Sequence, residues 1–409
     1  MTMRRVAVTG IGAVTPVGND IDSMWASLTA GRHGIGTITR FDASGYKASL
    51  AAEVRDFDPH MYMQKNDVRR SDLYTQYAMA SACQAMEDSG LGGNIAQERL
   101  GVCFGSGIGG MTTFYEEQRK LLEGGPRKVS PFFIPMMISN LAAGNIAIRF
   151  SAKSSCLSIV TACSTGTNAI GEAYRAVRHG YADAMIAGGS EAAITPMGIA
   201  GFVNMTAMSL SGDPDAALLP FDKRRSGFIM GDGAGALVLE EYEHAVRRGA
   251  EIYAEISGYS STCDAYHITA PDPDAECSAR AIAEAFAESG ARPGAVYVNA
   301  HGTGTLVNDV SETLAIKRAF GDRIRDVLVS STKSMTGHML GAAGAVEAVI
   351  SILALRRGVI PPTAGLYERD EACDLDYVPV SARHADVTSA LSVSMGFGGH
   401  NACLCFTKV

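Results

Sequence analysis

The chain has 409 residues, of which 47% are hydrophobic and 19% charged, and its formal net charge is -8. This composition predicts a globular protein with a large core, and the acidic balance argues against a nucleic-acid partner. No uninterrupted apolar run reaches the roughly 20 residues of a membrane span, so we predict no membrane segment. The nine cysteines are scattered without a CxxC pair, which favours free thiols in the cytoplasm over a zinc site or a disulfide framework.

Short apolar runs alternate with helical stretches and glycine turns along the chain. The predicted buried strands are Val6–Val8, Val102–Phe104, Ala184–Ala187, Ala236–Leu239, Val296–Val298 and Val327–Ser330. The predicted helices cover residues 73–89, 167–179, 278–289, 311–319 and 342–357. This order predicts a layered α/β fold with buried, mostly parallel sheets.

Two segments of the chain resemble each other. Leu157–Gly180 and Val327–Gly358 each run from a strand through a loop of small residues into a helix that ends in basic residues and a glycine. This likeness predicts a duplicated fold with a boundary near Ala250. The chain would then divide into an N-terminal half, residues 1–250, and a C-terminal half, residues 251–409.

Cys163 stands where a predicted strand turns into a predicted helix. The apolar run Leu157–Val160 precedes it, and the helix that follows has apolar positions at Ile170 and Val177. The backbone N–H groups and the dipole of a helix start favour a thiolate over a thiol, and they can hold a developing oxyanion. Small residues on both sides leave room for a substrate, so Cys163 is the candidate nucleophile.

Two histidine motifs follow further strands. His301 opens the motif HGTGT directly after a strand, at the edge of a sheet where α/β sites form. Thr303 and Thr305 add hydroxyls that suit a polar, linear ligand. The motif STKSMTGH at 331–338 also follows a strand, and a helix start there would keep His338 neutral, as a hydrogen-bond donor to an oxyanion.

Two further features complete the set of candidate residues. Lys333 lies beside an apolar strand and needs an ionic partner if it is buried, for which Glu312 is the candidate. The turn GFGG at 396–399 allows a mobile backbone on which Phe397 can swing as a gate. Near the N-terminus, the motif at 10–15 lacks the third glycine of a dinucleotide fingerprint, so nucleotide binding is not predicted.

Taken in order, the cysteine motif TACSTG at 161–166, HGTGT, KSMTGH and GFGG closely resemble the β-ketoacyl-[acyl-carrier-protein] synthases, especially the type II condensing enzymes that elongate fatty acids. The resemblance covers the chain from Val6 to Phe406. It implies the thiolase-like fold, in which two similar halves form layered α-β-α-β-α architecture, and it implies a homodimer. It also implies an acyltransferase without a cofactor or catalytic metal of its own, because its partner, the acyl carrier protein, brings the phosphopantetheine arm.

The resemblance implies a role for each motif residue. Cys163 would carry the acyl chain as a thioester, while His301 and His338 would bind malonyl-carrier and promote its decarboxylation. Lys333 would support catalysis near Glu312, and the backbone N–H groups of Cys163 and Phe397 would form the oxyanion hole. The carbanion left by the loss of CO₂ would then attack the acyl group and lengthen it by two carbons.

Other residues receive roles from the resemblance alone. Ile108 would line the acyl tunnel, Phe202 is a further pocket candidate, and Phe133 would reach across the dimer. A basic cluster on this acidic chain would dock the acidic carrier and mainly aid encounter, although the same charges also suit a solvated face. The cluster consists of Lys65, Arg69 and Arg70.

The chain departs from the family pattern in two regions. Thr206 and Gly212 lie where relatives often carry arginines, which weakens the expected affinity for the carrier. Val393 replaces the usual asparagine before the GFGG turn. In relatives this region, with Asn299, Glu347 and Ser392, can hold a structural monovalent cation. Backbone carbonyls could still serve, so the sequence leaves the ion open.

Three functions stay open. The ordered motifs favour an elongating ketosynthase of fatty acid synthesis. HGTGT followed by Asn308-Asp309 also occurs in aromatic polyketide ketosynthases, so a dedicated polyketide or specialised lipid pathway is the alternative. A non-catalytic subunit that only docks carrier proteins is the third, and the intact Cys163, His301 and His338 argue against it. A thiolase would need a second catalytic cysteine, and an initiating ketosynthase would carry asparagine in place of the second histidine.

Overall fold

The structure, a computed structural model, describes residues 3–290 and 292–409. The strands are β1 (Val6–Val14), β2 (Ile35–Thr37), β3 (Leu50–Ala52), β4 (Leu100–Gly105), β5 (Cys156–Leu157), β6 (Ala184–Glu191), β7 (Gly233–Glu241), β8 (Ala254–Cys263), β9 (Ala295–Asn299), β10 (Val327–Ser330), β11 (Val359–Ile360), β12 (Arg383–His384), β13 (Val387–Gly396) and β14 (His400–Thr407).

The α-helices are α1 (Ile21–Thr29), α2 (Lys65–Val68), α3 (Leu73–Ser89), α4 (Met111–Gly124), α5 (Phe133–Met137), α6 (Leu141–Phe150), α7 (Thr165–Arg178), α8 (Pro196–Asn204), α9 (Tyr242–Arg247), α10 (Glu276–Glu288), α11 (Asn308–Phe320), α12 (Lys333–Thr336) and α13 (Ala343–Arg357). Across the two described ranges, no helix has the length and apolarity needed to cross a membrane.

In the described chain the main sheet has ten strands, in the order β5-β4-β6-β7-β1-β8-β14-β13-β9-β10. β1 and β8 meet at its centre, where Val6–Val8 pairs antiparallel with Ala254–Ile256. On one side, β1–β7 and β7–β6 are antiparallel, whereas β6–β4 and β4–β5 are parallel. On the other side, β8–β14 and β14–β13 are antiparallel, whereas β13–β9 and β9–β10 are parallel. The same five-strand topology therefore occurs twice.

The elements predicted from periodicity lie on observed strands and helices, but the predicted strand direction is wrong. The central β1–β8 pair and the two antiparallel pairs on each side outnumber the parallel pairs. Both faces of these strands are covered, so antiparallel strands here also read as continuous apolar runs. The division of the chain at residue 250, between α9 and β8, stays a prediction.

Alternate residues of the strands face different hydrophobic layers. On β7, Leu237 faces the layer formed by α7 and α13, whereas Val238 faces the layer formed by α3 and α6. On β14, Leu404 faces the same central layer, whereas Cys403 faces the layer formed by α10 and α11. The two central helices therefore lie between the two halves of the sheet, and the layers alternate as α-β-α-β-α.

The two central helices approach closely because each carries a glycine in its first turn. A Cβ on Gly166 of α7 would lie only 2.6 Å from the backbone nitrogen of Ala345. A Cβ on Gly344 of α13 would lie 2.0 Å from Oγ1 of Thr167. The turns that precede α7 and α13 are therefore brought side by side, and they carry the candidate site.

Candidate active site

The candidate nucleophile lies on the turn that leads from β5 into α7. Residues 162–164 form a single 3-10 turn before α7 begins at Thr165. Ala162 has a φ of 50°, a left-handed conformation that residues other than glycine seldom adopt. Cys163 follows it, is only 8% exposed, and places its Sγ 3.2 Å from Nε2 of His338.

The two candidate histidines are held by different parts of the backbone. His301 follows β9, and its N–H donates to Oε1 of Glu312 at 2.6 Å. His338 lies in the turn after α12, and its N–H donates to the carbonyl oxygen of Ile229 at 2.8 Å. The two ring centroids are 5.3 Å apart with the planes at 87°. In neither ring does Nδ1 have a hydrogen-bond partner, so each ring can carry its single proton on Nε2.

Burial sets the protonation of this group. It lowers the pKa of both histidines well below the ordinary value, and Lys333 lowers both further, so the two rings are neutral. Burial also raises the pKa of the Cys163 thiol to about 12, against the opposite effect of Lys333. The backbone N–H of Cys163 at the helix start lowers the pKa as expected, but burial outweighs it because desolvation penalises the charged sulfur, and the resting site holds the thiol. His338 is neutral as predicted, but the cause is burial. It lies in the turn after α12 and not at the start of a helix.

Lys333 is fully buried, but its partner is not the one predicted. Its Nζ donates to Oε1 of Glu347 on α13, which is also buried. Glu312 instead accepts the backbone N–H groups of His301 and Gly302, at 2.6 and 2.7 Å. The predicted Lys333–Glu312 pair is wrong because the long intervening segment hides which carboxylate faces the lysine. A signal was present, since Glu347 is the one charged residue between Ala343 and Leu355 of α13.

A cavity of about 480 Å³ opens over the sulfur. The predicted residues that line it are Cys163, His301, His338, Phe202, Thr303, Thr305 and Phe397. The hydroxyl oxygens of Thr303 and Thr305 are 3.0 Å apart. The structure thus brings the predicted nucleophile, both histidines and most of the predicted pocket residues into one space.

A row of aromatic rings that line the cavity runs from Phe397 to His338. The ring centroids of Phe397 and Phe202 are 6.4 Å apart, and those of Phe202 and Phe228 are 5.5 Å apart. Phe228 then meets the ring of His338 edge-on at 5.2 Å. Phe228 was missed by sequence reasoning, because an isolated phenylalanine in an irregular segment carries no pattern that marks it.

The GFGG turn passes directly over the nucleophile. A Cβ on Gly396 would lie 3.2 Å from the backbone nitrogen of Cys163 and 2.6 Å from the carbonyl oxygen of Thr161. Only glycine permits this approach. The half-buried Phe397 follows it, so the backbone that carries Phe397 lies beside the backbone that carries Cys163.

Some predicted residues lie outside this cavity. Ile108 is 41% exposed, and the ring of Phe133 on α5 packs near Phe114 with the centroids 6.3 Å apart. Thr206 lines the cavity, and Gly212 does not. The predicted docking residues Lys65, Arg69 and Arg70 are all exposed, on α2 and just after it. The guanidinium of Arg70 stacks over the ring of Phe132 at 4.7 Å.

The fold and the site together define a class of protein. Residues 3–245 match the family model "Beta-ketoacyl synthase, N-terminal domain", and residues 253–367 match "Beta-ketoacyl synthase, C-terminal domain". The chain therefore belongs to the β-ketoacyl synthase family, a family of acyltransferases, and the family predicted from the four motifs is confirmed.

Relatives of known name match the chain over its full length. It is 50% identical to 3-oxoacyl-[acyl-carrier-protein] synthase 2 of Synechocystis sp., covering 99% of this chain and 98% of that one. It is also 50% identical to the protein of the same name in Coxiella burnetii, covering all of both chains.

Solved structures confirm the predicted thiolase-like ketosynthase fold. A β-ketoacyl synthase from Burkholderia phymatum superimposes with a TM-score of 0.92 at 36% identity over the whole of both chains. A type II polyketide ketosynthase, solved in complex with its acyl-carrier protein, also gives 0.92 over both whole chains at 33% identity.

Proposed function

We propose that the chain is an elongating 3-oxoacyl-[acyl-carrier-protein] synthase in which Cys163 carries the growing acyl chain and His301 and His338 drive decarboxylation of the malonyl extender. The observation that carries this proposal is the cluster itself. A buried thiol lies 3.2 Å from one neutral histidine, and a second neutral histidine lies beside the first, with the ring centroids 5.3 Å apart.

The first half-reaction transfers the acyl group from the carrier to the enzyme. Sγ of Cys163 attacks the thioester carbonyl, and the bond to the pantetheine sulfur breaks. The thiol must lose its proton as it attacks, because burial keeps it protonated at rest. With its proton on Nε2, His338 does not take this proton but can donate a hydrogen bond to the sulfur, at 3.2 Å. The departing pantetheine sulfur takes up a proton, so none is lost overall.

The second half-reaction forms the new carbon–carbon bond. Malonyl-carrier loses CO₂, and negative charge develops on its thioester oxygen. Neutral histidines can each donate one N–H to this oxygen, and preorganised donors of this kind stabilise the enolate where it forms. The carbanion then attacks the acyl carbonyl on Cys163, the bond to Sγ breaks, and the departing thiolate takes up one proton from the solvent to regenerate the thiol. The backbone N–H groups of Cys163 and Phe397, on adjoining segments, would hold the oxyanion of this step.

Lys333 and Glu347 supply the electrostatic setting. The buried ammonium lowers the pKa of both histidines and therefore helps to keep them as neutral donors. Glu347 holds the ammonium in place through an ion pair, and Glu312 fixes the backbone of His301 by accepting its N–H. We assign supporting roles to all three residues.

Condensation by the purified protein tests this function. Acyl-carrier and malonyl-carrier should together give 3-oxoacyl-carrier and CO₂, detected by mass spectrometry of the carrier. Omission of either substrate should abolish the product. A purified, folded protein that forms no 3-oxoacyl-carrier with chains of any length would contradict the proposal.

A dedicated polyketide or specialised lipid pathway is the second candidate. It is supported by the likeness to the polyketide ketosynthase structure and by Asn308-Asp309 after HGTGT. The identity to the synthases named above is higher, at 50% against 33%, and favours fatty acid elongation. Turnover against saturated carrier-bound chains of graded length, compared with poly-oxo chains, separates the two. Preference for the poly-oxo chains would favour the polyketide function.

We also propose the acyl carrier protein as partner, docked on the basic cluster of Lys65, Arg69 and Arg70. Their side chains are exposed on a chain of net charge -8, and opposite charges across such a contact speed encounter. Reversing the charge of Lys65 and Arg69 should raise KM for the carrier and leave kcat unchanged. An unchanged KM would place the docking surface elsewhere.

A homodimer is proposed as well. β5 is an edge strand of the main sheet, and exposed apolar side chains surround it. They include Ile134, Ile148, which is 79% exposed, Leu157 and Val160. Pairing two such edges would cover this surface and bring Phe133 of α5 to the junction. Light scattering after gel filtration should give twice the chain mass, and Leu157→Lys should shift it toward the single chain.

A structural monovalent cation within the C-terminal half is a further proposal. Oδ1 of Asn299, Oε2 of Glu347 and Oγ of Ser392 are buried and lack hydrogen-bond partners. Asn299 and Ser392 are paired on neighbouring strands, and both face the central layer that contains Glu347. These oxygens are donors of the kind that such a cation prefers. Thermal unfolding at a higher temperature in potassium than in choline salts of equal strength would support the site.

The cytoplasm is the proposed location of the protein, because its nine cysteines are all free thiols.

A further inference from the structure

A buried carboxylate lies directly behind the nucleophile. Glu191, the last residue of β6, is 0% exposed. Its Oε1 accepts the hydroxyl of Ser106 at 2.8 Å and the N–H of Ile108 at 3.2 Å. Its Oε2 accepts the N–H of Gly107 at 2.9 Å and the N–H of Gly341 at 3.1 Å. One side chain therefore ties the loop after β4 to the turn before α13.

The tied segments pack against the nucleophile turn. A Cβ on Gly107 would lie 3.3 Å from the carbonyl oxygen of Ala162, the left-handed residue that precedes Cys163. A Cβ on Gly341 would lie 2.4 Å from the backbone nitrogen of Gly107. The backbones of the 106–108 loop, the Gly341 turn and the Cys163 turn are therefore in contact. A displacement of the loop or of Gly341 would move the backbone of Cys163 as well.

The turn at Gly341 repeats the geometry of the turn at Cys163. Residues 340–342 form a 3-10 turn before α13, just as residues 162–164 do before α7. Each turn begins with a left-handed residue, Leu340 at φ 46° and Ala162 at φ 50°. Gly341 therefore occupies the position of Cys163 in the second half, and Glu191 accepts the backbone N–H that corresponds to that of Cys163.

The histidines are held independently of Glu191. The N–H of His338 donates to Ile229, and its carbonyl accepts the N–H of Gly231 at 2.9 Å. The N–H of His301 donates to Glu312. Loss of the Glu191 contacts would therefore displace the thiol and the loop that carries Ile108, while the backbone of both histidines keeps its own anchors.

We propose that Glu191 is a positioning residue for acyl transfer, which holds the 106–108 loop and the Gly341 turn against the back of Cys163 and so fixes the thiol for attack on the carrier thioester. This inference rests on the proposed function. Loss of Glu191 should affect acylation and not decarboxylation, because its contacts hold the segments around Cys163 and not those that carry the histidines. A displacement of about 1 Å at a reacting atom is enough to cost about a hundredfold in rate.

Glu191→Gln tests the proposal without a change in size. Four donors face the carboxylate, and only the Ser106 hydroxyl can turn to accept instead, so the NH₂ group of an amide must face at least one backbone N–H and break that contact. Acylation of Cys163 by acyl-carrier, followed by intact mass, should slow about ten- to a hundredfold. Decarboxylation of malonyl-carrier without an acyl acceptor should change by less than about twofold. A variant that is merely destabilised would instead lose both half-reactions to the same extent.

A matched control and a milder variant complete the test. Glu53 is another buried glutamate that accepts backbone N–H groups and a threonine hydroxyl, and Glu53→Gln should leave both half-reactions unchanged. Should Glu191→Gln fail to fold, Ser106→Ala removes one of the four donors and should slow acylation alone. Equal slowing of both half-reactions, or of neither, would overturn the proposal. Failure of the proposed function would differ, because the unmodified protein would then show neither half-reaction.

Discussion

The turn at Cys163 and the turn at Gly341 share one backbone design but differ in their chemistry. Both are single 3-10 turns that begin with a left-handed residue and lead into a central helix. The first presents a thiol to an open cavity. The second has a glycine at the corresponding position, and the buried carboxylate of Glu191 accepts the backbone N–H of that glycine.

The difference shows how a duplicated frame supports one reaction centre. The N-terminal half supplies the nucleophile, whereas the turns after β9 and β10 in the C-terminal half supply both histidines and the lysine. The corresponding N-terminal loop after β4 has Ser106 and Gly107 where the other half has His301 and Gly302. Each half has thus kept the backbone geometry and only part of the chemistry, so the site forms where the halves meet.

Removing the thiol should break the comparison most completely. Cys163→Ala makes the two turns chemically alike, and condensation should fall by at least about a thousandfold because no covalent acyl intermediate can form. The thermal unfolding midpoint should change little, since alanine fits the turn. The measurement is 3-oxoacyl-carrier formation, and residual turnover within tenfold of the unmodified protein would refute the assignment.

Removing one histidine should spare acylation and stop decarboxylation. His338→Ala deletes a preorganised donor to the enolate oxygen, so release of CO₂ from malonyl-carrier should fall about a hundred- to a thousandfold. His301→Ala serves as the matched variant and should behave alike. If CO₂ release survives in both variants, the histidines do not stabilise the enolate.

Adding a side chain to the second turn should destabilise the fold. A Cβ at Gly341 would lie 2.4 Å from the backbone nitrogen of Gly107 and 2.7 Å from Oε2 of Glu191. Overpacking of this kind costs about 1–3 kcal/mol, so Gly341→Ala should lower the urea midpoint. Gly212→Ala, where no atom lies within 4 Å, is the control. Equal midpoints for the two variants would show that the second turn tolerates a side chain.

The reactivity of the thiol should reveal its resting state. Burial raises the pKa of Cys163 to about 12, so the reactive thiolate is a minor form at neutral pH and increases as pH rises toward that pKa. Alkylation by iodoacetamide should therefore quicken up to about tenfold per pH unit between about pH 6.5 and 8.5, without levelling off. A plateau below pH 7 would instead indicate a thiolate stabilised by the helix start.

Much of this arrangement could be predicted from the sequence because its signals are local. Strand and helix periodicity, glycine-rich turns and the motifs around Cys163, His301 and His338 are contiguous in the chain. The likeness of Leu157–Gly180 to Val327–Gly358 also predicted the duplication, and these segments do occupy corresponding places in the two halves.

Long-range pairing was not predictable in the same way. The partner of Lys333 proved to be Glu347, because the choice between two buried carboxylates depends on how α13 packs and not on spacing. The direction of the strands, the ring of Phe228 beside His338 and the four contacts of Glu191 likewise depend on segments far apart in sequence. The state of the thiol depends on burial, which a motif does not reveal.

The most direct test of the central claim is to trap the acyl-enzyme. His338→Ala, given acyl-carrier and malonyl-carrier together, should accumulate a protein heavier by one acyl group, and peptide mapping should place that group on Cys163. The acyl group should stay on the protein because no enolate forms to remove it. An adduct on any other residue, or an unmodified Cys163 in a protein that still makes 3-oxoacyl-carrier, would contradict the account.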